Sequence, residues 1–197
     1  MIVAMKRICV FCASSVGRNP AHAAAARRIG AELARRGIEL VYGGGNIGLM
    51  GLLADAVLSA GGRAIGVIPR FMVVKELAHQ GLTELRVVES MHQRKAEMAE
   101  LADAFVALPG GLGTLEEFCE IVTWSMLGLH RKPLGMLNVD GVYDHFLLLL
   151  DRMMADALLK PRHRAMIYVE SEPAALLDRL AAVEPPGPTG PTGLEKT

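Results

Sequence analysis

Short apolar runs alternate with amphipathic segments along almost the whole chain. The runs are rich in β-branched and aromatic residues, as in Ile8-Cys9-Val10-Phe11, and this pattern predicts buried strands. We place the strands near residues 6–12, 38–42, 63–68, 84–88, 103–108, 134–138 and 166–169. The segments between them have helical periodicity and stop at glycines. We place the helices at Pro20 to Arg36, Ile47 to Ala60, Met91 to Leu101, Gly113 to Gly128, Val142 to Leu159 and Pro173 to Ala182.

This β-α alternation predicts a Rossmann-like, three-layer α/β/α fold with a mainly parallel sheet. The chain has 197 residues, 51% of them hydrophobic, which is enough for one domain with a full core. We assign residues 1–183 to that domain. Residues 184–197 contain proline and glycine but no core-forming cluster, so they predict a disordered tail. Ligands of such folds bind at the carboxyl ends of the strands, where the glycine-rich loops of this chain fall.

The charge balance restricts the classes of partner. Lys plus Arg and Asp plus Glu both total 21, so the net charge is zero. This argues against broad binding of nucleic acid or of an anionic membrane surface, but it permits a local basic pocket. No apolar run approaches the roughly 20 residues of a transmembrane helix. At the N-terminus the charges of Lys6 and Arg7 follow the apolar residues, unlike the order in a signal peptide. We therefore expect a cytoplasmic location.

The cysteines and histidines do not indicate a redox or metal site. Cys9 and Cys12 have C-x-x-C spacing, but a redox pair normally opens a helix, whereas Cys9 lies inside a predicted strand. Two strand residues three apart also point to opposite faces, so we expect buried structural cysteines. The histidines lack paired metal-ligand spacing. We expect no metal and no organic cofactor.

The most informative segment is glycine-rich and lies between the fifth predicted strand and the following helix. Gly110, Gly111 and Gly113, with Thr114, leave backbone N–H groups uncovered at the positive end of that helix. Such a junction predicts a site for a phosphate or another anion. Glu117 lies four residues beyond Gly113, one helical turn above the cradle. A carboxylate does not help to hold phosphate, so we expect Glu117 to act on the part of the ligand that the phosphate tethers.

Two further loops at the same edge of the sheet carry candidate ligand contacts. Gly43 to Gly48 fits the pattern G-x-G-x-x-G, but the acidic residue expected about 20 positions later in a dinucleotide site is missing. We therefore favour a smaller ligand, with Gly44 and Gly45 as candidate contacts, and a tight structural turn as the alternative. Ser14 follows the first strand and either binds phosphate or ribose hydroxyls or caps the next helix.

Charged residues near this edge extend the candidate site. Arg94 and Lys95 lie in the first turns of a predicted helix, where two cations oppose the helix dipole. Contact with an anion or a carboxylate is therefore favoured over a solvated pair. Glu76 lies in the long loop between the third and fourth strands, where it either contacts substrate or is a solvated charge.

Two motifs taken together resemble a known family. Met91-His92-Gln93-Arg94-Lys95 followed by Pro109-Gly110-Gly111-Leu112-Gly113-Thr114-Leu115-Glu116-Glu117 is similar to the paired signature of the Lonely Guy (LOG) family. Its members are cytokinin riboside 5′-monophosphate phosphoribohydrolases, many of which also act on AMP, and they have often been mislabelled as lysine decarboxylases. The resemblance runs from about Ile8 to Leu180. It implies a homodimer, with catalytic roles for Arg94 and Glu117. It also implies phosphate binding by Gly110, Gly111, Gly113 and Thr114, and substrate contacts from Lys95, Glu76, Glu116 and Thr123.

These observations predict hydrolysis of the N-glycosidic bond of a purine nucleoside 5′-monophosphate, either a cytokinin riboside monophosphate or AMP or both. Arg94 would then either position Glu117 through a charge-assisted bond or hold substrate oxygens. The alternative is a non-catalytic carrier of a nucleotide or of the molybdenum cofactor on a similar scaffold. Binding alone does not require a carboxylate beside a phosphate cradle, so the carrier is disfavoured.

The helix from Gly113 to Gly128 is apolar on nearly all sides, including Phe118, Ile121 and Trp124. One face must pack on the sheet, and a second apolar face needs another surface to cover it. A partner subunit is the simplest source of that surface, so the pattern also predicts a homodimer.

Overall fold

The computed structural model describes residues 5–73 and 77–183 of the chain. Within these ranges the strands are β1 (Arg7–Phe11), β2 (Glu39–Tyr42), β3 (Ala64–Pro69), β4 (Glu84–Val88), β5 (Ala104–Ala107), β6 (Leu134–Leu137) and β7 (Ile167–Glu170). The helices are α1 (Pro20–Arg35), α2 (Gly48–Ser59), α3 (Arg70–Val73), α4 (Met91–Leu101), α5 (Leu112–Met126), α6 (Asp144–Ala155), α7 (Pro161–Arg164) and α8 (Pro173–Ala181). The predicted tail, residues 184–197, lies outside the described residues.

The strands form one sheet in the order β4-β3-β2-β1-β5-β6-β7. Every adjacent pair is parallel, which confirms the predicted α/β class. The predicted strands match the observed ones to within one residue at each end. Buried apolar runs bounded by polar or glycine-rich segments therefore predicted the sheet well, as expected for strands covered on both faces.

The helix predictions were right in number for the longer elements but wrong at some ends. The helix predicted from Val142 to Leu159 is observed only as α6. Asp140 and Ala157, on either side of it, have φ values of 52° and 58°, a left-handed conformation that interrupts a right-handed helix. The short helices α3 and α7 were missed because four residues carry no helical periodicity.

Helices cover both faces of the sheet. Helices α1, α2 and α8 contribute to the core on one face, and α4, α5 and α6 contribute to the core on the other. Cys9 and Cys12 are buried in these two different cores, as predicted, whereas Cys119 is exposed on α5. Within the described ranges, none of the helices is long and apolar enough to span a membrane.

The sheet order places a crevice at the carboxyl ends of β1 and β5. From β1 the chain continues to β2 on one side of the sheet, and from β5 it continues to β6 on the other side. Such a switch point is where doubly wound sheets bind ligands. The loops after β1 and β5 meet there, since the N–H of Ala13 donates to the Pro109 carbonyl over 3.2 Å.

Candidate active site

The N-terminus of α5 offers an uncovered backbone surface. At Gly110 an added Cβ would lie 2.1 Å from the Thr114 hydroxyl oxygen, so any larger residue at this position would clash with the Thr114 side chain. At Gly111 and Gly113 an added Cβ would meet none of the described residues within 4 Å, and neither glycine has a positive φ. Packing among the described residues therefore does not explain these two glycines. They leave open the space that a ligand needs to approach the first N–H groups of the helix.

The loop that leads into α5 is held from behind. The N–H of Leu108 donates to the Phe11 carbonyl over 2.9 Å, which continues the pairing of β5 with β1. The buried hydroxyl of Tyr143, from the loop after β6, donates to the Leu108 carbonyl. These bonds, together with that between Ala13 and Pro109, fix the loop before any ligand binds.

A buried ion pair lies beside this surface. Helix α4 begins at a Ser90 cap, whose hydroxyl accepts from the N–H of Gln93 over 3.2 Å. Arg94 then projects into the crevice, where its Nη1 lies 3.1 Å from Oε1 of Glu117 on α5. Its Nε donates to the Val67 carbonyl, also over 3.1 Å. The two side chains are only 8% and 11% exposed. The structure thus brings together the two residues that the resemblance implies are catalytic.

Gly43 is a site residue that sequence analysis missed. A Cβ at Gly43 would lie 1.9 Å from Nη2 of Arg94, so the guanidinium rests directly on this glycine at the end of β2. The glycine pattern after the second strand indicated a close approach of some group to this loop. It could not show that the group is a side chain from α4, because that contact joins residues distant in sequence.

Burial dominates the electrostatics of Glu117. Removal from water raises the pKa of its carboxyl above the usual value of 4.5, Arg94 counteracts the rise, and the neighbouring Glu116 adds to it. The carboxylate is therefore a better proton acceptor than an exposed one. A raised pKa together with a specific charge partner in a crevice is typical of a functional group.

Lys95 points away from Arg94 towards two other carboxylates. Its Nζ lies 2.5 Å from Oε1 of Glu116 and 3.0 Å from Oε2 of Glu120, both on α5. Burial alone would lower the pKa of Lys95, but the two carboxylates outweigh it and leave the pKa raised. Lys95 is therefore a protonated link between α4 and α5. Glu120 is a second residue of this cluster that sequence analysis did not single out.

The remaining predicted residues occupy more varied positions. Gly44 and Gly45 are buried in the turn after β2, where Gly44 has a φ of 73° and Gly45 is packed against Met50. Their own surroundings thus account for both glycines. Ser14 is exposed at the crevice edge, next to Gly48 at the start of α2.

Two predicted residues lie apart from the crevice or cannot be placed. Thr123 is exposed on α5, nine residues beyond Thr114, and its hydroxyl donates to the Cys119 carbonyl over 2.7 Å. Glu76 lies outside the described residues.

These features define a class: a Rossmann-like α/β protein with an open, glycine-lined helix N-terminus and a buried Arg–Glu pair beside it. A family model described as "Possible lysine decarboxylase" matches residues 50–180. The cytokinin riboside 5′-monophosphate phosphoribohydrolase LOG7 of Arabidopsis thaliana is 48% identical over 180 residues, covering 91% of this chain and 83% of that protein. Its rice relative LOG is 51% identical over 162 residues, covering 82% and 67% of the two chains. The chain therefore belongs to the LOG family.

Solved structures support the fold. The molybdenum cofactor binding protein of Rippkaea orientalis aligns with a TM-score of 0.68 at 21% identity, covering 89% of this chain and 95% of that one. The molybdenum cofactor carrier protein of Chlamydomonas reinhardtii aligns with a TM-score of 0.67 at 20% identity, covering 91% and 100%. At this level of identity the likeness extends to the fold alone.

Proposed function

We propose that this protein hydrolyses the N-glycosidic bond of purine nucleoside 5′-monophosphates, with cytokinin riboside 5′-monophosphates and AMP as substrates. The observation that carries the proposal is the buried Arg94–Glu117 pair one turn above the open glycines of α5. The names of the relatives, which are about half identical in sequence, agree with this activity.

The geometry suggests how the residues divide the work. The 5′-phosphate binds the N–H groups between Gly111 and Thr114, at the positive end of α5. Residues four apart on a helix are separated by about 5–6 Å at Cβ, which brings the tethered sugar carbon C1′ near Glu117. As the C1′–N bond breaks, the sugar becomes oxocarbenium-like, and the Glu117 carboxylate stabilises the developing positive charge.

Water completes the reaction at C1′. Glu117 orients the attacking water and accepts its proton, a role that its raised pKa favours. The base leaves with the electron pair of the broken bond and takes up a proton from solvent, Glu117 returns to solvent the proton that it accepted from water, and the sugar leaves as ribose 5-phosphate. Arg94 keeps the Glu117 carboxylate fixed during these steps, because it is itself held by Val67 and Gly43.

A substrate panel tests the proposal. The purified protein is incubated with AMP, N6-isopentenyl-AMP, GMP, CMP and adenosine, and the free base and ribose 5-phosphate are measured by chromatography. We expect release of base from AMP and its N6-isopentenyl derivative. Adenosine should be a very poor substrate, because it lacks the phosphate that positions C1′. Binding of AMP without release of adenine would instead support the carrier function.

We also propose that the protein is a homodimer that uses the outer face of α5. The exposed residues of this helix are Leu112, Gly113, Glu116, Cys119 and Thr123, and Leu127 follows its last residue. Leu112 and Leu127 are 87% and 66% exposed. Thr123 lies about 15 Å along the axis from Gly113, at 1.5 Å per residue. A substrate contact from Thr123 is therefore easier to make with a nucleotide held by a partner subunit. Light scattering at micromolar concentration tests this proposal, and an active monomer would refute it.

A cytoplasmic location remains a prediction from the sequence. Cell fractionation with an antibody against the protein tests it, and recovery in a membrane or secreted fraction would contradict it.

A further inference from the structure

The cluster of Lys95, Glu116 and Glu120 contains one more carboxylate than its single cation needs. Lys95 is 9% exposed, and both carboxylates lie within ion-pair distance of its ammonium group. Because Glu116 and Glu120 are four residues apart, they occupy the same face of α5, where two like charges repel each other. A second carboxylate at this position therefore costs stability unless it serves another purpose.

The two carboxylates differ in their surroundings. Glu116 is 55% exposed, immediately precedes Glu117, and lies three residues beyond the open Gly113. Glu120 is 27% exposed, its Oε2 is buried, and it lies one turn farther from the cradle. Glu116 can therefore turn towards a ligand in the crevice, whereas Glu120 stays with Lys95.

We propose that Glu120 is a positioning residue that keeps a counter-charge beside Lys95 while Glu116 turns to bind the 2′-hydroxyl of the nucleotide. The inference rests on the proposed function, which places C1′ beside Glu117. The 2′-hydroxyl is carried by the sugar carbon next to C1′, and the long, half-exposed side chain of Glu116 starts from the residue next to Glu117. Without Glu120, the departure of Glu116 would leave the buried ammonium with neither of the two carboxylates that pair with it among the described residues, which is strongly unfavourable. Glu116 would then remain bound to Lys95.

A double-mutant cycle tests this division of roles. The variants E116Q, E120Q and E116Q/E120Q are compared with the wild type by steady-state kinetics on AMP, with base release as the readout. Loss of one charge-assisted hydrogen bond to substrate should raise KM by about tenfold in E120Q, with a much smaller change in kcat. In the E116Q background, E120Q should change KM by less than about twofold. Residue 116 is then an uncharged glutamine, so its release from Lys95 no longer depends on Glu120.

Two controls separate this role from a general structural one. Glu97 on α4 pairs with Arg86 over 3.1 Å and is 30% exposed, so E97Q removes a comparable ion pair that faces away from the crevice. E97Q should leave KM at the wild-type value. With 2′-deoxy-AMP, wild type and E120Q should have nearly equal KM values, because the hydroxyl that Glu116 binds is missing.

The outcomes are distinguishable from a failure of the proposed function. If wild-type protein releases no base from AMP, the proposed function is refuted and this inference falls with it. If wild type is active but E120Q raises KM equally in both backgrounds, or leaves it unchanged, only the role of Glu120 is refuted.

Discussion

The contact between Gly43 and Arg94 makes Gly43→Ala a sharp test of the site. The added methyl carbon would lie 1.9 Å from Nη2 of Arg94, so the guanidinium would have to move by about 1.5 Å to reach an ordinary contact of 3.4 Å. Gly43 does not have a positive φ, so alanine introduces no backbone strain there. The substitution therefore acts mainly by displacing one side chain.

That displacement is large enough to break the contacts that hold Arg94 in place. Its bonds to Glu117 and to the Val67 carbonyl are each 3.1 Å long and cannot both survive such a movement. Misplacement of a catalytic group by about 1 Å can reduce activity on the order of 10²-fold, so we expect a loss of kcat/KM of at least that size. The assay is release of adenine from AMP, with a thermal melt to confirm that the variant is folded.

A second background shows whether the effect passes through Arg94. In R94M the guanidinium is absent, so adding G43A should change the residual kcat/KM by less than about threefold. An activity of G43A within threefold of wild type would refute the account of how Arg94 is held. So would an equal loss in both backgrounds.

Three further predictions follow from the same structure. Gly113→Ala should stabilise α5 by up to about 1 kcal/mol, because alanine has the higher helix propensity. It should nevertheless raise KM for AMP, because the methyl group would occupy space that the nucleotide needs; thermal melts and kinetics measure the two effects. The raised pKa of Glu117 should place the acid limb of the pH profile of kcat/KM above pH 4.5, and E120Q should move it to lower pH by removing a negative charge. Hydrogen bonding to Arg35 lowers the pKa of Glu32 to about 2, so its stabilising effect should be lost as pH falls from 4.5 towards 2; R35M should raise the midpoint of acid unfolding, and an unchanged midpoint would contradict this.

The sheet could be predicted from sequence because each strand is marked locally. A run such as Ala104 to Leu108 is apolar throughout and is followed by Pro109 and Gly110, so its type and ends are both visible. Helix ends were less certain where no glycine or proline marks them. Ala157 adopts a left-handed conformation that its residue type does not indicate, and the helix predicted to run to Leu159 ends before it.

The candidate site was predictable where its chemistry is carried by neighbours in sequence. Gly113 and Glu117 are one turn apart on one helix, so their relation could be derived from spacing alone. The support of Arg94 by Gly43 and the bridging of Lys95 by Glu120 join different elements of the fold. No local pattern encodes such contacts, because they depend on the strand order that places α4 beside the end of β2 and beside α5.

The most direct test of the central claim is the Glu117→Gln variant, with AMP binding and adenine release measured on the same preparation. The substitution preserves the shape of the side chain but removes the charge that stabilises the oxocarbenium-like sugar. We expect binding close to that of wild type by calorimetry and a loss of turnover on the order of 10²–10⁴-fold. Release of adenine at a near-normal rate by this variant would contradict the account.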